Sequence, residues 1–394
     1  MKKLIILLVL VMVASLALAG CGGIEDAIEG AVEDAMEEVA DAAEEVADDI
    51  AEEVQEVEEA VSTKDIKVGF IYIGPVGDGG FTYMHDQGRQ EVEAMGVETL
   101  YLENIPEKTS ECYDAIVSLI DEGCNVIFAT SFGHMEATKN ASADYPEVKF
   151  FHCSGWEIND TNLGNYFGRM YEPRYLSGIA AGYATTDNQI GYVAAMPIPE
   201  VIRGINAFTL GVRSANPDAT VQVVWTNTWY DPAIEKASAE SLLDAGCDVI
   251  AMHQDTPEPI AAAAAAGKYS VGYHSTMAAY GGDTYLTGAV WDLGTYYVSA
   301  VTSIIDGTYA PESFWGGISD GTVLLEDFGP GISDEAIAAI EAAQASIIDG
   351  SFHVFTGPIA NQDGEIVVAE YDTMTDGDML GMFFFVEGVE GSVD

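Results

Sequence analysis

Two doubly wound α/β lobes with parallel sheets, joined by a hinge and facing each other across a cleft, are the fold this sequence predicts. Three observations predict it. From about residue 64 onward, apolar runs of strand length alternate with segments of helix length, the order that builds a parallel sheet with helices on its faces. The runs are continuous rather than alternating, as in Val126-Ile-Phe-Ala129, which suits strands covered on both sides. The pattern is also written twice: Asp121-Glu-Gly-Cys124-Asn-Val-Ile-Phe-Ala returns as Asp244-Ala-Gly-Cys247-Asp-Val-Ile-Ala-Met. A period of about 120 residues is far longer than a solenoid repeat, so the duplication means two similar lobes.

The chain opens with Lys2 and Lys3, an apolar run Leu4–Leu16 and then small residues, the layout of a secretory leader. The run falls short of the roughly 20 apolar residues of a membrane span. It ends in Leu18-Ala19-Gly20-Cys21, which resembles a lipobox. Residues 1–20 are therefore expected to be removed, leaving Cys21 lipidated. The protein would be exported and anchored to the outer face of the cytoplasmic membrane.

From Ile24 to Thr63 the composition shifts: 17 acids, no Lys, Arg or Pro. Apolar residues recur at Ile24, Ile28, Val32, Met36, Val39, Val46, Ile50, Val54, Val57 and Val61, a helical spacing with one narrow stripe. Residues 21–63 read as a stalk, reaching about 60 Å if helical throughout, or as a solvated tether held open by self-repulsion.

In the body, Lys67–Ile73, Glu98–Glu103, the strand after Cys124 and Val148–Ser154 read as strands of the first lobe. Gln189–Ala195, Thr220–Asn227, the strand after Cys247 and Tyr269–Ser275 read as their counterparts in the second. Helices are expected at Tyr83–Met95, Ser110–Glu122, Glu200–Asn216 and Ile234–Ala245, the second and fourth ending in Gly caps. Hinge strands are expected near Tyr166–Tyr171 and Ala289–Leu293. The first lobe would then hold residues 64–170 and about 292–325, and the second 171–291 and about 326–394.

Charge excludes much. With 65 acids against 14 basic residues the net charge is −51, and the body alone carries 48 acids against 12 basic residues. Such a surface repels nucleic acid, which is held by Lys and Arg, and fits saline surroundings. The spacing of Cys, His and acids shows no metal site, and no cofactor motif is present. Cys124 and Cys153 would lie at opposite ends of neighbouring parallel strands, beyond the reach of a disulfide.

Ligands of open α/β sheets meet the loops at the carboxyl ends of the strands. Those loops are Gly74–Tyr83, with Phe81 and Thr82; Thr130–His134, with Ser131 and Phe132; and Ser154-Gly-Trp156. In the second lobe they are Trp225–Asp231, with Asn227, Trp229 and Tyr230; His253–Pro257, with Asp255; His274–Met277; and Val290–Asp292, with Trp291. Aromatic faces beside amides, hydroxyls and carboxylates suit a planar, polar, uncharged ring such as a nucleobase. A cation is the other ligand that such walls accept. The Gly-rich loop is neither a dinucleotide fingerprint nor a P-loop. No nucleophile–base motif appears, so binding rather than catalysis is expected. His134, His152, His253 and His274 read as hydrogen-bonding groups at strand ends.

Val68-Gly-Phe-Ile-Tyr-Ile-Gly-Pro-Val-Gly-Asp-Gly-Gly-Phe-Thr-Tyr83, Trp225-Thr-Asn-Thr-Trp-Tyr-Asp-Pro232, His253–Pro257, Phe352–Ile359 and Gly381–Val389 together resemble the basic membrane protein family across residues 66–390. The resemblance implies a type I periplasmic-binding fold and a lipoprotein that delivers a purine nucleoside or base to an ABC permease and ATPase. It puts Phe81 on one face of the ring and Trp229 or Tyr230 on the other. Thr82 stands where the nucleoside-binding branch has Asn, and the Asp and Lys of that branch are replaced by the His274 region and Trp291. Those departures favour a base without its sugar, such as adenine. Ser131, Asp255 and His274 would read the ring's edge, and Trp291 would close the pocket of a monomer. A sugar or an autoinducer on the same fold, or a sensor ectodomain for a membrane receptor, are the alternative readings.

Overall fold

The computed structural model describes residues 63–393; the leader, Cys21 and the acidic stalk up to residue 62 lie outside the described residues. In the first lobe, β1 (Lys67–Ile71), β2 (Glu98–Leu102), β3 (Val126–Ala129), β4 (Lys149–Cys153) and β5 (Leu163–Gly168) form a parallel sheet in the order β2-β1-β3-β4-β5. In the second, β6 (Gln189–Ala194), β7 (Thr220–Trp225), β8 (Val249–His253), β9 (Tyr269–His274) and β10 (Tyr285–Trp291) pair in the order β7-β6-β8-β9-β10. Reading β6 for β1, β7 for β2 and so on, the orders are identical, so the duplicated pattern folds into duplicated topology. The central strands are apolar because helices cover both faces; β3 and β8 are buried at every position, while the outer β2 is exposed or half-buried along its length.

The expected helices form at Phe81–Ala94, Thr109–Asp121, Pro199–Ala215 and Pro232–Asp244. The second and fourth end alike. Gly123 and Gly246 take φ of 93° and 106°, and the next amides, of Cys124 and Cys247, reach back to Leu119 O and Leu242 O. This cap needs a residue that tolerates positive φ. The β3–β4 register, Val126 beside Lys149 and Ala129 beside His152, sets Cys124 and Cys153 at opposite sheet ends. Both are buried free thiols.

The hinge has more parts than expected. The segments Tyr166–Tyr171 and Ala289–Leu293 are the ends of β5 and β10 and the starts of the helices that follow. The chain crosses after β5 into the helix Tyr171–Ala184, which packs on Pro199–Ala215 of the second lobe. It returns after β10 through the helix Leu293–Ile305, packed on Phe81–Ala94 of the first lobe. β11 (Ser313–Gly316) then extends the first sheet beside β5. β12 (Val323–Leu325) lies antiparallel to β10 in the second sheet. The second lobe thus resumes before Val323, ahead of the expected boundary near 325.

The remaining chain stays with the second lobe. The helix Asp334–Ile348 packs on Tyr171–Ala184, β13 (Ile359–Ala360) and β14 (Ile366–Val368) form a short ladder, and β15 (Val389–Glu390) adds an edge beside β7. At the first crossing Arg169 grips Asp376 with two hydrogen bonds, of 2.8 and 2.7 Å, and lies over Trp315. The planar guanidinium matches the carboxylate fork, tying the crossing to the C-terminal segment.

Candidate functional site

The carboxyl ends of both sheets carry the loops that enclose a narrow cavity lined by aromatic and polar side chains, the mix that small-molecule sites use. Local chemistry sets each loop. In the Gly-rich loop the Asp78 carboxylate accepts the backbone N–H groups of Gly80, Thr82 and Tyr83 at 2.8, 2.9 and 2.9 Å. It caps the helix that follows, and so fixes Phe81, the first helical residue, on the cavity wall. The Phe81 ring stands edge-on to His85, 4.3 Å between centroids, and 5.3 Å from His274.

In the second lobe Glu235 ties two loops together. It accepts the Asp231 amide at 3.0 Å and the Thr256 amide at 3.2 Å, while Gln254 donates to Thr226 Oγ at 2.7 Å. Trp229 and Asp255 therefore face the cavity from loops that are bound to each other.

The lobes touch across the cleft. Ser154 Oγ donates to Glu200 Oε2 at 3.2 Å, Ser275 donates to the carbonyl of Gly79, and Gly80 packs against the backbone of Asp255 so closely that no Cβ would fit. This is a closed arrangement.

Electrostatics leave the cavity nearly neutral. Trp291 Nε1 donates to His274 Nδ1 at 2.9 Å; an indole N–H can only donate, so the imidazole proton sits on Nε2. That nitrogen is 3.1 Å from Asp255 Oδ1 but lacks hydrogen-bonding geometry. Burial pushes the Asp255 carboxyl well up, reinforced by Asp78, Glu235 and Glu200. Burial holds His253 and His274 well below the usual imidazole range, so the imidazoles are uncharged at neutral pH and the Asp255 carboxyl is pushed toward its neutral form. Glu200 is raised to about 7, chiefly by burial. Trp229 Nε1, His253 Nδ1 and His274 Nε2 are buried without a protein partner. Native interiors rarely strand such groups, and these three belong to residues that line the cavity.

Of the residues expected from sequence, Phe81, Ser131, Phe132, Trp229, Asp255 and His274 line the cavity together. The Ser131 hydroxyl already donates a hydrogen bond to Glu107 Oε1, at 2.6 Å. Four lie elsewhere. Thr82 is buried in the loop beneath, accepting the Gly74 amide. Asn227 takes φ of 56° at an exposed turn, and Tyr230, one residue past Trp229, turns to solvent. Trp291 stands behind His274, against Phe167, so it backs the wall instead of closing the mouth. His134 and His152 bond backbone carbonyls of Ile105 and Ser131.

Sequence reasoning missed Ser154, Phe167, His253 and above all Glu200 as lining groups. The duplication could have found Glu200. The loop after β6 is the counterpart of the Gly-rich loop after β1, and Glu200 lies in the first turn of the following helix, as Phe81 does in the first lobe. Among the described residues no group of His, Cys, Asp and Glu could hold a metal ion. No described helix is long and apolar enough to cross a membrane.

The family model for Bmp, the PnrA-like ABC transporter substrate-binding proteins, matches residues 65–354. The chain belongs to the Bmp family. Bmp proteins are extracytoplasmic solute-binding components, not enzymes, and work with a permease and an ATPase. A purine-binding protein of Brucella abortus is 40% identical over 334 residues, covering 84% of this chain and 95% of that one. A protein of Haloferax volcanii, provisionally named an ABC transporter glucose-binding protein, is 37% identical over 332 residues, 83% of this chain and 81% of its own. A solute-binding protein of an ABC transporter system from Aeropyrum pernix has the same fold, with a TM-score of 0.65 at 21% identity over 73% of this chain and 92% of that one. As a Bmp protein, the chain binds a small-molecule substrate.

Proposed function

We propose that this Bmp protein is the lipid-anchored, extracytoplasmic receptor of an ABC importer and captures a purine-like ligand, adenine or a related base, by closing its two lobes. The observation that carries this reading is the pairing of Phe81 from one lobe with Trp229 from the other in a single cavity whose imidazoles are uncharged and whose acids are pushed up toward their neutral form. A neutral heteroaromatic ring stacks on such walls and offers donors and acceptors at its edge. Trp229 Nε1, His253 Nδ1, His274 Nε2 and the Asp255 carboxyl are the groups to meet them. The purine-binding relative supports the same ligand class. The ligand would hold the lobes closed, and the permease would read the closed state.

Calorimetry with adenine, guanine, adenosine and glucose tests the reading. Adenine should release heat and quench Trp229 fluorescence. Heat with glucose alone would favour the ligand named for the Haloferax relative. Intact mass of the membrane-extracted protein tests the anchor: a diacylglyceryl group on an N-terminal Cys21 is expected, and Cys21→Ser should move the protein into the soluble fraction.

A further inference from the structure

Beside the first cavity lies a second chamber, and the two share Phe132, Ser154, Phe167 and Glu200. Its walls come from both lobes and from β11: Trp156, Phe314, Trp315 and Leu380 are the side chains that give it an apolar surface. The polar groups on these walls are largely engaged within the protein. Arg203 donates to Met379 O at 2.8 Å and lies over the Trp315 ring at 5.0 Å. Asn165 donates to the carbonyls of His152 and Ser154. Trp315 Nε1 donates to Gly168 O at 2.9 Å. Ser313 contributes the remaining hydroxyl. A ribose, with several hydroxyls to satisfy, would be poorly served here, because each unmet polar group costs free energy on burial.

The rim carries a second signal. Trp156 is 64% exposed and Leu380 47% exposed, although both border the chamber and Trp156 stands edge-on to Phe132, 5.9 Å between centroids. Large apolar side chains left in water around a concavity mark a surface that something apolar covers. The junction of the chambers is polar at Ser154 and Glu200, where the hydroxyl donates to Glu200 Oε2 and the carboxyl keeps acceptor capacity for an N–H of a ligand that passes from one to the other.

Resting on the purine-like reading of the first cavity, we infer that the natural ligand extends into this second chamber. It is a planar heteroaromatic base bearing an apolar arm attached through an N–H, with the ring between Phe81 and Trp229, the linking N–H on Glu200, and the arm against Trp156, Phe314 and Trp315. A secondary exocyclic amine meets this need, because it keeps one proton for the carboxylate after substitution.

Calorimetry with adenine, N6-benzyladenine and adenosine tests the inference. N6-benzyladenine should bind at least tenfold tighter than adenine, and adenosine no tighter than adenine. Leu380→Trp, which fills the chamber from its exposed rim, should abolish the benzyl advantage and leave adenine affinity unchanged. N6-benzyladenine binding no better than adenine, or a Leu380→Trp variant that keeps the full advantage, would overturn the second chamber while leaving the first intact. A protein that binds none of the three refutes the purine reading, and this inference falls with it.

Discussion

Gly80 is the point at which the lobes come nearest, and a single methyl group there should hold the cleft ajar. The backbone oxygen, carbonyl carbon and Cα of Asp255 all fall within 3 Å of where a Gly80 Cβ would be. None of these atoms can swing aside, since the Asp255 loop is held through Thr256 and Gln254 to Glu235 and Thr226. Gly80→Ala is therefore relieved by separating the lobes. That separation strips the Ser275–Gly79 hydrogen bond, and at the same edge stretches the one from Ser154 to Glu200. A neutral hydrogen bond contributes about 1 kcal/mol and one to a carboxylate roughly 1.5–3 kcal/mol. Together these give about 2–4 kcal/mol, or roughly 30- to 1,000-fold in ligand affinity at tenfold per 1.4 kcal/mol. Gly77→Ala is the control, since a Cβ there meets nothing within 4 Å. Calorimetry with adenine should find Gly77→Ala close to wild type and Gly80→Ala weaker by that factor, while circular dichroism shows both folded. Small-angle scattering should also find ligand-saturated Gly80→Ala more extended than wild type. Equal affinity and equal dimensions for the two variants would refute the account of closure.

Trp229→Ala removes one face of the slot, and should weaken adenine by about 1–3 kcal/mol, the range measured for base–aromatic stacking. Tyr230→Ala, at the exposed neighbour, should leave calorimetric affinity within twofold. Asp78→Ala strands three backbone N–H groups at the start of the helix carrying Phe81; it should cost about 2 kcal/mol in urea unfolding and weaken adenine as well. Glu200, 18% exposed, holds its proton to about 7 in the folded protein against 4.5 for the free group. The unfolded chain therefore ionises first, and stability falls as pH rises from about 4.5 to 7. Glu200→Gln should abolish this loss, gaining on wild type by about 2–3 kcal/mol between pH 4.5 and 8; a stability difference that does not change with pH would contradict it.

The fold was legible because it depends on features the chain repeats. Continuous apolar strands, helix-length partners and two Gly-capped turns each appear twice, and the two sheets have the same order. The hinge was harder to read because it is not composed of linker residues. β5 and β10 are buried at every position, so the lobes exchange chain directly at the ends of core strands. The return of Val323–Leu325 to the second sheet depends on antiparallel pairing with Ala289–Trp291, a contact between segments some 30 residues apart that no local pattern announces.

At the site, residue type was legible and side-chain direction was not. Trp229 and Tyr230 are adjacent aromatics, yet one lines the cavity and the other faces water. Thr82 follows Phe81 directly and yet turns inward to the loop. Such choices follow from where each loop is pinned, by Asp78 in one lobe and Glu235 in the other, and both pins are acids indistinguishable in sequence from the 65 that give the chain its charge. The same holds for Glu200. In a protein whose exterior is crowded with ionised carboxylates, the acids that matter for binding are the few that burial keeps protonated or close to it. Asp255 is pushed well up, and Glu200 to about 7. Outside, ionised acids hold water; inside, acids that retain their protons offer hydrogen bonds without charge. An uncharged ligand can therefore be received by a protein of net charge −51 without opposing its field.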